Sequence, residues 1–408
     1  MSGAVTASDQ PGAYRWILLA GVWLIYFSFG LMIASLAPLV GQITAELQIG
    51  HSTMGAILGA WPLVYIAAAI PCGILLDRLG TRVSLTLAAL LMAASGVARG
   101  LATDPTTLFL AVALFGIGGP LVSIGAPKLI AQRFEGPSRG TAMGIYITGP
   151  SLGGIAALSL THAVMMPLTG GDWRMVLFLY AGFVALCSIV WLGIANHPAA
   201  RTRLSDEDGG KKFNLAAFGE ILSVRAVRLV LAMSIGIFFI NHGLNNWLPE
   251  ILQSRGMSAA EAGYWASIPT IVGVIGALII PRLATPDRRL GVMKLLFLCA
   301  LAASLLLQLD PGAGLATGLF LQGIARSSMM TVAILLLMET PGVPKERLGL
   351  AGGLFFTAAE IGGVMGPLTI GILSQSTGGF SVPIASVTVV CVILLGLIAV
   401  LRRAWEHR

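Results

Sequence analysis

Two charged side chains stand inside long apolar stretches of the sequence, where charges are rare. Arg326 and Glu360 each lie near the middle of such a stretch. Arginine stays charged and presents a planar fork of N–H donors, so Arg326 could hold a carboxylate or another small anion. Glu360 can gain and lose a proton and is a candidate proton carrier. The alternative is that the two only neutralise each other as a structural pair, and both roles can coexist.

A third polar group occurs in the stretch 228–253, where Asn241, His242 and Asn245 share one face of a helix. Amides facing lipid are costly, so we expect this face to line a cavity and to bind substrate. His242 could titrate, and a hydrogen-bonded packing histidine is the alternative interpretation.

Four more side chains could complete a pocket for a small solute. Tyr26 and Tyr146 would supply aromatic walls, and Gln322 and Thr357 would supply further hydrogen-bonding groups. Aromatic residues in such sequences also serve as packing groups and interfacial anchors.

The composition indicates that lipid surrounds these elements. Of the 408 residues, 56% are hydrophobic and 11% are charged, and the mean hydropathy is +0.88; soluble domains carry about 25% charged residues. A spanning helix needs about 20 apolar residues. The sequence therefore predicts an all-α integral membrane protein with twelve transmembrane helices, at roughly 16–40, 52–76, 82–101, 106–132, 139–164, 173–195, 228–253, 259–283, 290–308, 312–338, 347–375 and 380–402.

A polar interruption near the midpoint divides these helices into two groups of six. We expect six-helix bundles at 1–195 and 228–408, joined by a flexible cytoplasmic linker at 196–227. Basic residues concentrate in alternate loops, which predicts cytoplasmic termini in a bacterial inner membrane. This orientation leaves Arg99, Arg174 and Arg255 in the external loops.

Several functional classes are excluded by what the sequence lacks. It contains no nucleophile and base constellation, nucleotide loop or metal-ligand spacing, so we expect neither an enzyme nor a cofactor or metal. The basic residues do not form a patch, which argues against nucleic acid. We expect a monomer in the lipid bilayer whose partners are a small-molecule substrate and protons.

The segment from Gly73 to Arg82 resembles the GxxxDRxGxR loop of the major facilitator superfamily, with its elements at Gly73, Asp77, Arg78, Gly80 and Arg82. The resemblance implies a twelve-helix, two-bundle transporter in which this motif gates conformations. We expect Gly73 to allow close helix approach, Gly80 to form a tight turn, and Asp77 to pair with basic groups across the bundle interface. The alternative is a basic loop with one solvated aspartate.

A second element, Gly149-Pro150-Ser-Leu-Gly153-Gly154, is similar to the GPxxGG pattern of proton-coupled exporters in that superfamily. Its proline would bend the fifth predicted helix, and its small residues would permit close packing. The other half carries a related run from Gly362 to Pro367, so the element could instead be a hinge common to both bundles.

A narrower resemblance comes from the run Asn245 to Glu250, which looks like part of the cyanate and nitroimidazole permease-type branch. Together these features predict a secondary transporter of a small anion, such as a carboxylate or a cyanate- or nitrate-like ion, that works by alternating access with proton coupling. The alternative is a proton-coupled exporter of drugs or metabolites. A channel fits two linked bundles less well.

Overall fold

The computed structural model describes residues 10–198, 215–340, 344 and 347–406, and these residues form helices without any strand. The helices of the first half are α1 (Gln10–Ala34), α2 (Val40–Glu46), α3 (His51–Leu58), α4 (Ala60–Leu101), α5 (Pro105–Arg133), α6 (Gly136–Leu160), α7 (Met166–Leu168) and α8 (Trp173–Asn196). Those of the second half are α9 (Leu215–Ser223), α10 (Arg225–Gln253), α11 (Ala259–Leu283), α12 (Arg289–Leu306), α13 (Ala313–Met338), α14 (Leu348–Thr377) and α15 (Ser381–Glu406).

Twelve membrane crossings follow from these helices. Within the described residues, eleven segments are long and apolar enough to span a bilayer. One of them, His51–Leu101, has 51 residues and holds two crossings, because about 20 residues suffice for one. Its helix breaks at Gly80, whose φ of 75° lies in the left-handed region that glycine adopts without strain. The prediction of an all-α membrane fold with two six-helix bundles is confirmed.

Each bundle contains a helix pair in which glycine brings the two backbones very close. On α6, Gly153 lies so near α1 that a Cβ there would collide with the backbone oxygen of Phe27. On α14, Gly362 lies equally near α10, against the backbone oxygen of Ile235. Because glycine has no side chain, two helix backbones can touch at these positions, and the same close packing occurs in both halves.

The two bundles touch at one end of the molecule, which we call the closed end; it carries the turns at 47–50, 102–104, 169–172, 254–258, 307–312 and 378–380. There α3 packs on α14, with Gly55 against the Pro367 oxygen, and α11 packs on α6, with Gly263 against the Leu158 oxygen. Helices α5, α8 and α11 also begin at this end with side-chain caps, as in Asp104, which accepts hydrogen bonds from Thr106 and Thr107.

The bundles are apart at the opposite end, the open end. Gly144 lies one turn before the cavity residue Thr148 on α6, and Gly353 lies two turns before Glu360 on α14. No described atom comes within 4 Å of a Cβ placed on either glycine. The contacts of Gly55 and Gly263 therefore join the bundles at the closed end, whereas Gly144 and Gly353, which lie toward the opposite end, make no such contact among the described residues.

The structure corrects the prediction for Arg99, which the loop assignment placed in an external loop. Arg99 is 1% exposed in the last turn of α4. It donates to the Met32 oxygen at 2.8 Å and to Ser35 Oγ at 3.0 Å. The first helix, predicted to run to residue 40, ends at Ala34. Arg99 thus donates to a carbonyl group in the last turn of α1 and to a hydroxyl group just after it, where the helix ends.

The later part of the predicted flexible linker is also helical, as α9. Its Glu220 forms an ion pair with Arg347 at the start of α14. Residues 199–214 of that linker lie outside the described residues.

Candidate functional site

A cavity of about 570 Å³ lies between the two bundles. Helices α1, α4 and α6 form one wall, and α10, α11 and α13 form the other. Its polar lining consists of Thr148, Ser151, Asn241, His242, Asn245, Asn246, Thr270, Arg326, Ser327 and Thr331, and the rest is apolar apart from the indole N–H of Trp61. The volume suits a small solute.

Arg326 is the charged residue in this lining. Its Nη1 donates to Thr270 Oγ1 at 3.1 Å. Among the described residues, no carboxylate lies within 4.0 Å of its guanidinium, so Arg326 and Glu360 do not form the structural pair considered from the sequence. Arg326 therefore gives the cavity a positive charge, and its remaining N–H groups can donate hydrogen bonds to an anion.

The polar face of α10 faces the cavity. Asn241, His242 and Asn245 all line the cavity together with Arg326. The buried Oδ1 of Asn241 has no hydrogen-bond partner within the described part of the chain. Because a buried polar atom without a partner is costly, this oxygen is suited to receive a donor from a bound solute.

The other four predicted pocket residues do not line this cavity. Tyr26 stacks on Tyr146 with ring centroids 5.3 Å apart, so these two rings pack on each other. Gln322 is buried within α13, and Thr357 donates back to the Gly353 oxygen at 3.0 Å. All four residues lie inside apolar helices, on faces that do not line this cavity.

Sequence reasoning missed Thr270 and Ser327, which line the cavity on α11 and α13. A signal for both was available. Ser327 follows Arg326 directly, and Thr270 follows Pro269 in the middle of an apolar helix.

Glu360 lies outside the cavity lining, on α14, which packs against α3 and α4 of the other bundle. Its side chain is 5% exposed, and its Oε2 has no hydrogen-bond partner among the described residues. A carboxyl group in such surroundings is held most easily in the neutral form.

The motif around Gly80 has a different geometry from the one expected. Asp77 accepts a hydrogen bond from Lys128 Nζ at 2.7 Å, and both residues belong to the first bundle. Among the described residues, the ion pair of Asp77 is therefore within one bundle and not across the interface. Gly73 makes no close helix contact within the described residues, and Arg82 donates to Asn196 at 3.2 Å.

The residues that the structure describes include no group of three or more His, Cys, Asp or Glu side chains placed to hold a metal ion. The polar groups that line the cavity are a guanidinium, an imidazole, amides and hydroxyls.

Known proteins similar to this chain cover almost its whole length. A model described as the Major Facilitator Superfamily matches residues 22–341. The chain is 24% identical over 428 residues to the probable galactarate/D-glucarate transporter GudP of Escherichia coli strain K12, covering 93% of this chain and 91% of that protein. It is 26% identical over 410 residues to the 2-nitroimidazole transporter of the same strain, covering 95% and 96%.

A solved structure shares the fold. A bacterial homologue of the human lysosomal transporter Spinster, in an inward-facing and unoccupied conformation, superposes with a TM-score of 0.77. The alignment covers 96% of this chain and 98% of that one, at 18% sequence identity. The arrangement of twelve helices around a central cavity is therefore that of a known class of membrane proteins.

Proposed function

This chain belongs to the Major Facilitator Superfamily, and on that premise we propose that it is a secondary active transporter of small organic anions coupled to protons. The observation that carries the proposal is Arg326, a guanidinium without an acidic partner among the described residues, in a cavity open at one end. A charge in a membrane protein costs about 3 kcal/mol or more unless it faces a cavity and acts there.

A hydroxylated carboxylic acid fits the lining best. Arg326 can bind a carboxylate through two parallel N–H groups. The free Oδ1 of Asn241 and the neighbouring hydroxyls of Thr270 and Ser327 can bind hydroxyl groups of the same molecule. The relative named as a galactarate/D-glucarate transporter supports this substrate class.

Transport would proceed by alternating access, with the bundles at 1–195 and 228–408 rocking about the cavity. The step that opens the closed end must break hydrogen bonds between the bundles. These include His51 Nδ1 with Ser374 Oγ at 2.8 Å and Ser52 N–H with Gln375 Oε1 at 2.8 Å. The motif from Gly73 to Arg82 would gate the open end, and the small residues Gly149, Gly153 and Gly154 with Pro150 would let α6 adjust against α1.

The excess of basic residues in alternate loops supports a bacterial inner membrane location with cytoplasmic termini. In that orientation the open end faces the cytoplasm. The proposal includes a monomeric transporter, Glu360 as the proton carrier, and the linker at 196–227 as a cytoplasmic connection.

Uptake into liposomes tests the substrate class. We expect purified protein to accumulate radiolabelled D-glucarate or galactarate when the lumen is more alkaline than the medium. The neutral polyol galactitol, which has a similar carbon skeleton and no carboxylate, is the matched control and should not enter. Equal uptake of galactitol and of the acids would contradict an anion site at Arg326.

A proton-coupled exporter is the second candidate. The apolar part of the lining, which includes Phe238, Val274 and Met330, favours it, as does the resemblance of the Gly149 to Gly154 run to exporters. The similarity to a 2-nitroimidazole transporter points the same way. Counter-movement of protons driven by 2-nitroimidazole, with no response to the acids in the same liposomes, would establish the exporter and exclude the acid transporter.

A further inference from the structure

His242 lines the central cavity and also lies close to the same glycine, Gly363, as Glu360. His242 lines the cavity, whereas Glu360 does not. A Cβ placed on Gly363 would lie 2.5 Å from Glu360 Oε2 and 3.1 Å from His242 Nδ1. The carboxyl oxygen and the ring nitrogen therefore flank the same small space beside Gly363.

The His242 ring is fixed by stacking. Its centroid lies 5.1 Å from that of Trp61 at an interplanar angle of 25°, and 5.3 Å from that of Phe238 at 22°. Phe238 precedes it by one turn on α10, and Trp61 belongs to α4 of the other bundle. The ring is thus held at the bundle interface in a position that reaches both Glu360 and the cavity.

The hydrogen bonding of His242 differs from that of other histidines in the chain. His51 binds Ser374 Oγ, and His162 binds the Pro38 oxygen at 2.7 Å. Neither ring nitrogen of His242 has a hydrogen-bond partner among the described residues. A hydrogen-bonded packing histidine, the alternative considered from the sequence, is not what the structure contains. Its nitrogens are available for exchange with Glu360 and with a solute.

The helices packed on α14 carry several other titratable groups. Helix α4 contributes Tyr65, whose hydroxyl is bonded to Ser123 Oγ at 2.8 Å, and α13 contributes Arg326 in the cavity. The buried part of α15 contributes Cys391, and α3 carries His51 at the closed end. Within the described residues, His242 is the group that is both beside Glu360 and in the cavity.

We propose that His242 exchanges the transported proton with Glu360 and thereby links proton binding to anion binding, an inference that rests on the proposed function of the cavity. The proton leaves the Glu360 carboxyl and binds Nδ1 of a neutral imidazole that carries its hydrogen on Nε2. The products are a carboxylate and an imidazolium, so the total charge of the pair is unchanged. The Glu360 carboxylate then takes a proton from water at whichever end is open, so anion binding adds one proton to the pair, and release of the anion returns one proton to water.

A bound anion makes this exchange favourable. An anion on Arg326 stabilises the imidazolium in the same low-dielectric cavity. By thermodynamic linkage, the bound anion raises the affinity for the proton by the same factor by which the bound proton raises the affinity for the anion. The coupling acts through His242 because Glu360 itself does not reach the cavity lining.

Proton uptake on substrate binding tests the proposal. D-glucarate is added to purified protein in a weak buffer that contains a pH-sensitive dye. The affinity of the protein for D-glucarate is also measured at pH 6 and pH 8. We expect the wild type to take up protons on binding and Gly363→Ala to lose that uptake, because the added methyl separates Glu360 from His242 while both remain. We expect His242→Gln to bind about tenfold more weakly at pH 6, without pH dependence.

Gly353→Ala is the matched control, since a Cβ there meets nothing within 4 Å among the described residues. It should behave as the wild type. Proton uptake as large as that of the wild type in His242→Gln or in Gly363→Ala would overturn the proposal. One folded variant of the two is enough for this test.

A measurement without substrate separates this inference from the proposed function. Protonation of a stacked imidazole quenches indole fluorescence, so the Trp61 signal, obtained by difference from Trp61→Phe, should titrate with pH. If no acid binds the wild type, the proposed function fails, but the exchange still predicts that Glu360→Gln and Gly363→Ala shift this titration. An unchanged titration in both would overturn the exchange itself.

Discussion

Replacement of Arg326 by alanine is expected to reduce the initial rate of D-glucarate uptake by about a hundredfold, because removing one partner of a buried, hydrogen-bonded charge pair costs about 2 to 5 kcal/mol. The guanidinium has one neutral partner, Thr270 Oγ1, so its other donors are the main source of attraction for a carboxylate. Uptake by liposomes under a fixed pH gradient measures the effect.

Two further variants make this result specific. Arg326→Lys keeps the charge but loses the planar fork, so we expect it to recover part of the rate. Arg282→Ala removes a positive charge from an exposed position on α11 outside the cavity lining, and its rate should equal that of the wild type. A wild-type rate in Arg326→Ala would show that the anion binds elsewhere.

Replacement of Glu360 by glutamine is expected to abolish accumulation of D-glucarate driven by a pH gradient while leaving exchange of labelled for unlabelled substrate. The amide fills the same space in the bundle interface but cannot release a proton. Net accumulation needs protonation and deprotonation, whereas exchange needs only the substrate site. Both quantities are measured in the same liposome preparation, so a folding defect would reduce both together.

Glu261→Gln is the control for loss of one carboxyl group. Glu261 lies in the first turn of α11 and accepts a hydrogen bond from the Ser258 N–H at 2.9 Å, a role that glutamine can also fill. Its accumulation should be unchanged. Accumulation by Glu360→Gln at the wild-type level would assign proton coupling to another group.

The fold was predictable because lipid imposes strong constraints on sequence. Apolar stretches of the required length and the glycine at position 80 specify where the chain crosses and turns, since backbone groups in lipid must bond within a helix. Close packing of α6 on α1 through Gly153 was signalled by the same small residues. The end of the first helix at Ala34 was not predicted, although Pro38 gave a local signal, because proline lacks the N–H that would bond to the Ala34 oxygen and its ring crowds that carbonyl.

Residues of the candidate site were predictable where exposure of the side chain to lipid would cost too much free energy, so that the residue must face a cavity. Arg326 and the polar face of α10 meet this condition, and they line the same cavity. Tyr26 and Tyr146 do not, because an aromatic ring can pack against another ring at no cost, and these two do so. The rotation of each helix about its axis decides such cases, and hydrophobic length carries no information about it.

The side-chain contacts of residues at the bundle interface could also not be predicted from the sequence. The stacking of His242 on Trp61 joins residues of different bundles, and Asp77 pairs with Lys128 within one bundle. Which of these contacts exists depends on the conformation of the whole molecule, because the closed end brings the bundles together and the open end separates them.

An experimental structure with D-glucarate bound would test the central claim most directly. We predict a carboxylate of the acid within about 3 Å of the Arg326 guanidinium nitrogens, with its hydroxyl groups toward Asn241. An acid bound elsewhere in the protein, with Arg326 still donating only to Thr270, would contradict the account.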